Sequence, residues 1–139
     1  MTTLVAGSQA ADSGDLEYET IRVAPPDPFV MNAYQGEVLR RVYLDPVLHP
    51  QGRPIVLDLT PIRLLSASAA GSLLVPSLRK LSESRRPVAI ATYSRDTRNV
   101  VAEVLTRYGL VAYWIPSEPG QPTPELIGAI GLGHPGARK

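Results

Sequence analysis

Residues 54–81 read PIVLDLTPIRLLSASAAGSLLVPSLRKL. The stretch opens as a strand and closes as a helix. PIVLDL (54–59) is nearly continuous apolar sequence, the pattern of a strand buried on both faces within a helix-covered parallel sheet. From about Ala67 to Ser84, Ala70, Leu73, Leu74, Leu78 and Leu81 fall on one helical stripe. Arg79, Lys80, Glu83 and Arg85 lie largely off it, and Pro76 is expected to bend the helix. At the hand-over stand two serines and four small residues, SASAAG (66–71).

The flanks repeat the alternation. YETIRVA (18–24) reads as a strand, with Ile21 and Val23 between polar neighbours, and PPDP (25–28) as a turn. FVM (29–31) suits a short second strand. From Gln35 or Gly36, the residues Val38, Leu39, Val42, Tyr43 and Val47 recur at helical spacing, with Pro46 stopping or kinking the helix near Leu44. PQGR (50–53) and RRP (85–87) are turns, and VAIAT (88–92) is a buried strand. Ser94 is an N-cap with Asp96 in the first turn. Val100, Val101, Val104, Leu105 and Tyr108 form that helix's apolar face, and Gly109 is its C-cap glycine. VAYWI (111–115) is a strand, SEPGQPTP (117–124) a linker, and ELIGAIG (125–131) a helix or a strand. Such an order predicts an α/β domain: a mixed, mostly parallel sheet of about four or five strands, with helices mainly on one face. The domain is expected over 17–116, after a disordered lead (1–16) and before a Pro/Gly-rich tail (117–139).

Composition narrows the function classes. The 139 residues carry a net charge of +1 and are 6% aromatic, so neither nucleic acid nor an anionic membrane surface is expected as a partner. With no cysteine, disulfides, iron–sulfur clusters and thiol catalysis are excluded. The two histidines, His49 and His134, fall in a turn and the tail without metal-ligand spacing, so neither metal nor cofactor is expected. No apolar run approaches the roughly 20 residues that cross a bilayer, and no signal peptide is legible, which makes the cytoplasm the expected compartment.

A helix start offers free N–H groups and positive potential. Ser66 can cap it, and Ser68 can present its hydroxyl to a partner whose backbone comes close over the small neighbours. The same residues also suit close packing of the helix on the sheet. Asp58 and Thr60 end the strand, where parallel sheets place their sites and where an aspartate also bonds local N–H groups. Ser94 and Arg95 open the next helix, either as a rim for an acidic partner or as a solvated face. Tyr113 and Trp114 suit either the core or an exposed patch.

DLTPIRLLSASAAGSLL resembles the signature of STAS domains, the fold of anti-sigma factor antagonists. There a strand ending Asp-Leu-Ser precedes an apolar segment and Asp-Ser-Ser-Gly, a hydrophobe, Gly, a small residue and Leu-Leu. Asp58, Leu59 and Thr60 fall on the strand end, and Leu64 and Leu65 on the apolar pair. Ser66 stands for the aspartate, Ala67 for the first serine and Ser68 for the second. Ala69 replaces the first glycine and Ala70 the hydrophobe, while Gly71, Leu73 and Leu74 match. Gly36, Leu39 and Arg40 also fit the Gly-x-x-Leu-Arg helix of a STAS-like group of unknown function.

The resemblance implies a protein–protein interaction module rather than an enzyme. Its partner would be an anti-sigma factor, a serine kinase or a related regulator, bound through Asp58, Thr60, Ser66, Ala67, Ser68, Ala69, Gly71, Ser72, Ser94 and Arg95. Ser68 would be the phosphoacceptor, its phosphate switching binding by charge. Two other readings stand beside it: a non-phosphorylated STAS-like scaffold or sensory subunit using constitutive or homo-oligomeric contacts, homodimers included, and a small α/β enzyme with Asp58 at its active edge.

Overall fold

The computed structural model describes residues 18–49, 51–116 and 124–129. Its elements are β1 (Glu19–Arg22), β2 (Phe29–Val30), α1 (Ala33–Leu39) running on into a π-helical turn (Arg40–Leu44), β3 (Ile55–Leu59), β4 (Leu64–Leu65), α2 (Ala67–Glu83), β5 (Val88–Thr92), α3 (Arg95–Arg107), β6 (Val111–Ile115) and β7 (Glu125–Gly128). Five strands form one sheet in the order β1-β3-β5-β6-β7. The first three pairings are parallel, and β7 closes the edge antiparallel to β6. The fold is α/β with a mostly parallel mixed sheet, as the alternation predicts. β2 and β4 pair separately as a parallel ribbon, Phe29 beside Leu64 and Val30 beside Leu65.

The helices cover one face of the sheet. Ile55, Leu57 and Leu59 of β3, Ile90 and Thr92 of β5, Trp114 of β6 and Ile127 of β7 are buried there with Leu73, Leu74, Leu81, Val101 and Leu105 from the helices. Residues of the opposite parity are not sealed off. Val56, Asp58, Ala89 and Ala91 are only partly buried, and Val111 and Tyr113 are exposed. The apolar run 54–59 therefore marks a central strand with one covered face, not two. Trp114 belongs to the core, where its indole N–H donates to buried Thr92 Oγ1 at 2.9 Å, and Tyr113 belongs to the surface.

Three local details differ from the sequence expectation. α1 begins earlier, at Ala33, because Asn32 and Gln35 form a capping box: Asn32 Oδ1 accepts from Gln35 N–H at 2.8 Å, and Gln35 Oε1 from Asn32 N–H at 3.1 Å. Leu64 and Leu65, read as a plain apolar pair, form a strand. Residues 125–128 join the sheet as β7, so the folded unit runs past residue 116. Most of the expected lead and tail, His134 included, lies outside the described residues.

Pro76 sits inside α2 without ending it, and the structure shows why. A proline at 76 supplies no N–H for the Ser72 carbonyl four residues earlier. The Arg40 guanidinium, from the end of α1, donates to that carbonyl through Nη1 at 3.2 Å. Arg40→Met is accordingly expected to destabilise the fold by about 1–2 kcal/mol by orphaning the carbonyl. The loss should shrink by at least half in a Pro76→Ala background, where an alanine N–H restores the helical bond. Urea unfolding of the four proteins of this cycle measures the coupling directly.

Candidate functional site

The ribbon β2–β4 organises the site. Each of its strands feeds a helix within two residues: Val30 leads to α1 through Asn32, and Leu65 to α2 through Ser66. Because the strands are parallel, the two helices start side by side. The Ser66 N–H donates to the Val30 carbonyl at 3.0 Å and ties the starts together. Gly36 then lies against Ala69, Arg40 reaches Ser72, and Asp45 with Leu48 faces Pro76, Ser77 and Lys80. The contacts advance together along both helices, so α1 and α2 run the same way.

This arrangement answers why small residues stand at the hand-over. A Cβ placed on Gly36 would overlap the Ala69 carbonyl and crowd its carbonyl carbon and Cα. Ala69 and Ala70 are fully buried. The backbone that comes close over Ala69 is therefore the chain's own α1, and neither alanine is free to meet a partner. Ala67 is half-buried, and Ser66 is an N-cap whose Oγ accepts from the Ala69 N–H at 3.1 Å.

What remains at the surface is Ser68, with Ala67, Gly71 and Ser72 half-buried beside it. Ser68 is exposed, one residue into α2, and its hydroxyl makes no hydrogen bond among the described residues. Gly71 follows at i+3 on the same face, and a Cβ there would meet nothing within 4 Å. Ala67, Ser68, Gly71 and Ser72 line a groove of about 410 Å³ with Ala33 of α1, Arg107 at the end of α3 and Tyr108 just past it. Large apolar side chains stand exposed on the ribbon and at the start of α1: Phe29, Met31, Leu64 and Tyr34, the last 74% exposed. Arg63 stacks over exposed Tyr93 at 4.8 Å, linking this rim to the turn before α3.

The other candidate residues are placed elsewhere. Asp58 points from the face of β3 opposite the helices. Its Oδ1 accepts from Thr60 N–H at 3.0 Å and Thr60 Oγ1 at 2.6 Å, and its Oδ2 pairs with Arg22 at 2.9 Å. Partial burial pushes the carboxyl's affinity for protons up, but the two Thr60 bonds and the Arg22 charge outweigh it, leaving the pKa below its ordinary 3.8. The folded state thus holds the proton less tightly than the unfolded chain. The stabilisation this provides is fully present above about pH 4 and lost as pH falls through the lowered pKa. Asp58→Asn should flatten the acid limb of a stability-against-pH curve and leave its shape above pH 5 unchanged, as followed by urea midpoints.

Ser94 and Arg95 are also committed locally. Ser94 Oγ accepts from the Thr97 N–H at 3.2 Å, and the Ser94 carbonyl accepts from Thr92 Oγ1 at 2.8 Å. Arg95 lies over the Trp114 ring at 5.0 Å, beside Arg98 at 5.6 Å, which is paired to Glu125 at 2.8 Å. The structure thus keeps Ala67, Ser68, Gly71 and Ser72 together on one surface. It assigns Asp58 with Thr60 to a strand-end turn and Ser94 with Arg95 to the cap and packing of α3. Sequence reasoning missed Phe29, Met31, Tyr34 and Leu64. The alternation of β2 and β4 is too short to show which side faces out, although the box Asn32-x-x-Gln35 marks the start that exposes Tyr34.

Among the described residues no group of three His, Asp or Glu side chains comes together that could hold a metal ion. Among the described residues no helix is long and apolar enough to cross a membrane. No family model matches the chain, and no curated protein or solved structure matches it either.

Proposed function

We propose that the chain is a protein–protein interaction module of the anti-sigma factor antagonist type, resembling STAS domains, which docks a regulatory partner on the exposed start of α2. The observation that carries this reading is Gly71. A glycine inside a helix costs about 1 kcal/mol relative to alanine, yet nothing in the fold occupies the space a Cβ would take. Gly36, by contrast, is required by the fold. A residue that weakens its own helix without a packing reason suits a surface that another backbone must approach. It lies one turn from the free hydroxyl of Ser68, at the end of the fold where Phe29, Met31, Tyr34 and Leu64 are exposed.

Ser68 acts in this reading as the phosphoacceptor. A phosphate adds nearly two negative charges, which the start of α2 tolerates through its exposed N–H groups and dipole. The same charge opposes an apolar or acidic partner surface, so phosphorylation releases the partner. The partner is a serine kinase, an anti-sigma factor or a related cytoplasmic regulator.

The test is capture from native cytoplasm by wild type, Ser68→Ala, Ser68→Asp and Gly71→Ala, with the intact mass of the endogenous chain. A GHKL-type kinase or sigma regulator is expected on wild type and Ser68→Ala and to be lost on Ser68→Asp, with one phosphate on Ser68. Gly71→Ala is expected to melt higher than wild type and to bind more weakly. Identical behaviour of all four baits, with no phosphate, would overturn the switch. The close α1–α2 contact, which accounts for Ala69 and Ala70 without any partner, favours a second reading for that outcome: a constitutive, non-phosphorylated STAS-like scaffold.

A further inference from the structure

The face of the sheet away from the helices has a shape of its own. The register sets Ala89 beside Val56 on one side and beside Tyr113 on the other, all pointing the same way. A small side chain flanked by a large one makes a hollow next to a projection. The hollow is a trough of about 440 Å³, lined almost entirely by apolar atoms, with Val56 and Ala89 in its floor and Tyr18, Tyr113, Ile115 and Pro124 around it. The projection is Tyr113, whose side is 49% exposed, with Leu126 directly across on β7 and also exposed.

We infer that this open face is a homodimer interface, in which Tyr113 of each copy fills the trough over Ala89 of the other. Two observations select a second copy as the occupant. Projection and hollow stand on neighbouring strands of one face, so a two-fold rotation brings each onto the other, as an isologous contact requires. The strand residues of this face carry only one pair of opposite charges, Asp58 and Arg22, joined to each other at 2.9 Å. The face therefore neither repels its own copy nor presents an unpaired charge that would select a foreign partner. Five strands about 4.8 Å apart and about five residues long give a footprint of roughly 400 Å² per copy. Two copies bury roughly 800 Å² in all, below the ~1,200–2,000 Å² of stable specific interfaces and in the range of weak, transient ones. The dimer is consequently a reversible one, and it leaves the start of α2, on the helix-covered side, open for the partner.

Sedimentation equilibrium of the full chain across the micromolar range tests this, together with Tyr113→Glu, Ala89→Arg and the control Glu83→Lys on the helix side. Melting midpoints confirm that each variant is folded. Wild type and Glu83→Lys are expected to dimerise with the same constant. Tyr113→Glu and Ala89→Arg are expected to weaken the dimer roughly tenfold or more. A wild type that stays monomeric overturns the proposal. If its Tyr113 then resists nitration, residues 1–17 or 117–123 of the same chain fill the trough instead. A dimer unaffected by Tyr113→Glu, in folded protein, places the interface elsewhere and also overturns it. None of these readouts involves Ser68 or a captured partner, so the dimer and the docking surface fail or stand separately.

Discussion

Gly36→Ala is expected to destabilise the protein by about 2–3 kcal/mol, although it replaces the poorer helix former by the best one. Helix propensity alone favours alanine by about 1 kcal/mol. Against it stands the Ala69 peptide, whose carbonyl oxygen, carbonyl carbon and Cα all crowd the position of the new Cβ. A flexible side chain could rotate away, but a backbone in the first turn of a 17-residue helix cannot. The two helices must separate, loosening the contacts that bury Leu39, Ala69, Ala70 and Leu73. A fall of about 10 °C in Tm is expected for a chain of this size. Two controls make the cause specific. Ala69→Gly should not rescue Gly36→Ala, because the obstacle is the Ala69 backbone rather than its methyl group. Gly71→Ala, in the facing helix with open space around it, should raise the midpoint. An unchanged or raised midpoint for Gly36→Ala would show that α1 and α2 are not in backbone contact there.

The same pair of glycines shows how far the sequence can be read. Period and punctuation place the main helices and strands within a few residues, because 3.6- and 2-residue spacing is a local property. The short ribbon β2–β4 escapes, since a two-residue strand has no period. Nothing local separates Gly36 from Gly71: both are single glycines in helical sequence, and only the neighbour across the interface decides which one the fold needs. SASAAG is subject to the same limit. Its small residues announce a close approach, but whether the approaching backbone is internal or foreign is a tertiary fact. Internal contact accounts for Ala69 and Ala70, and the cap accounts for Ser66. Ala67, Ser68, Gly71 and Ser72 are what remains for a partner. Asp58 was legible as a strand-end residue bonding its own turn, because an Asp two residues before Thr60 can reach that N–H without any help from the rest of the chain.

Arg86→Met is expected to cost about 3–4 kcal/mol while leaving partner binding of the folded protein intact. The Arg86 side chain is only 3% exposed. Its guanidinium donates to the Arg53 carbonyl at 2.6 Å, the His49 carbonyl at 2.6 Å and Glu19 Oε1 at 2.8 Å. It clasps the turn before β3 to the first residue of β1, and Gly52, with φ at +146°, passes close against the guanidinium plane. Methionine replaces the aliphatic stem but none of the donors, so the two carbonyls lose their partner at once and the Glu19 carboxylate keeps only the longer Arg53 contact at 3.8 Å. Removing one member of a buried pair typically costs 3–5 kcal/mol. The lower part of that range applies because Glu19 is 41% exposed and water can take up its charge. Arg86→Lys should recover only a minor part, since one ammonium cannot reproduce three donors set in a planar fork. Glu19→Gln should cost about 1 kcal/mol or less, as for other solvent-accessible pairs. Urea midpoints that rank Arg86→Met lowest, then Arg86→Lys, then Glu19→Gln would establish that the two carbonyls matter more than the ion pair. The clasp closes the end of the sheet where β1, β3 and β5 begin, whereas Ser68 follows the opposite end, after β4. Arg86→Met, measured below its lowered melting point, should therefore bind the partner of wild type with unchanged affinity, while Ser68→Asp loses binding at unchanged stability. On the proposed reading, stability and docking lie at opposite ends of the sheet, and the two variants are expected to separate them.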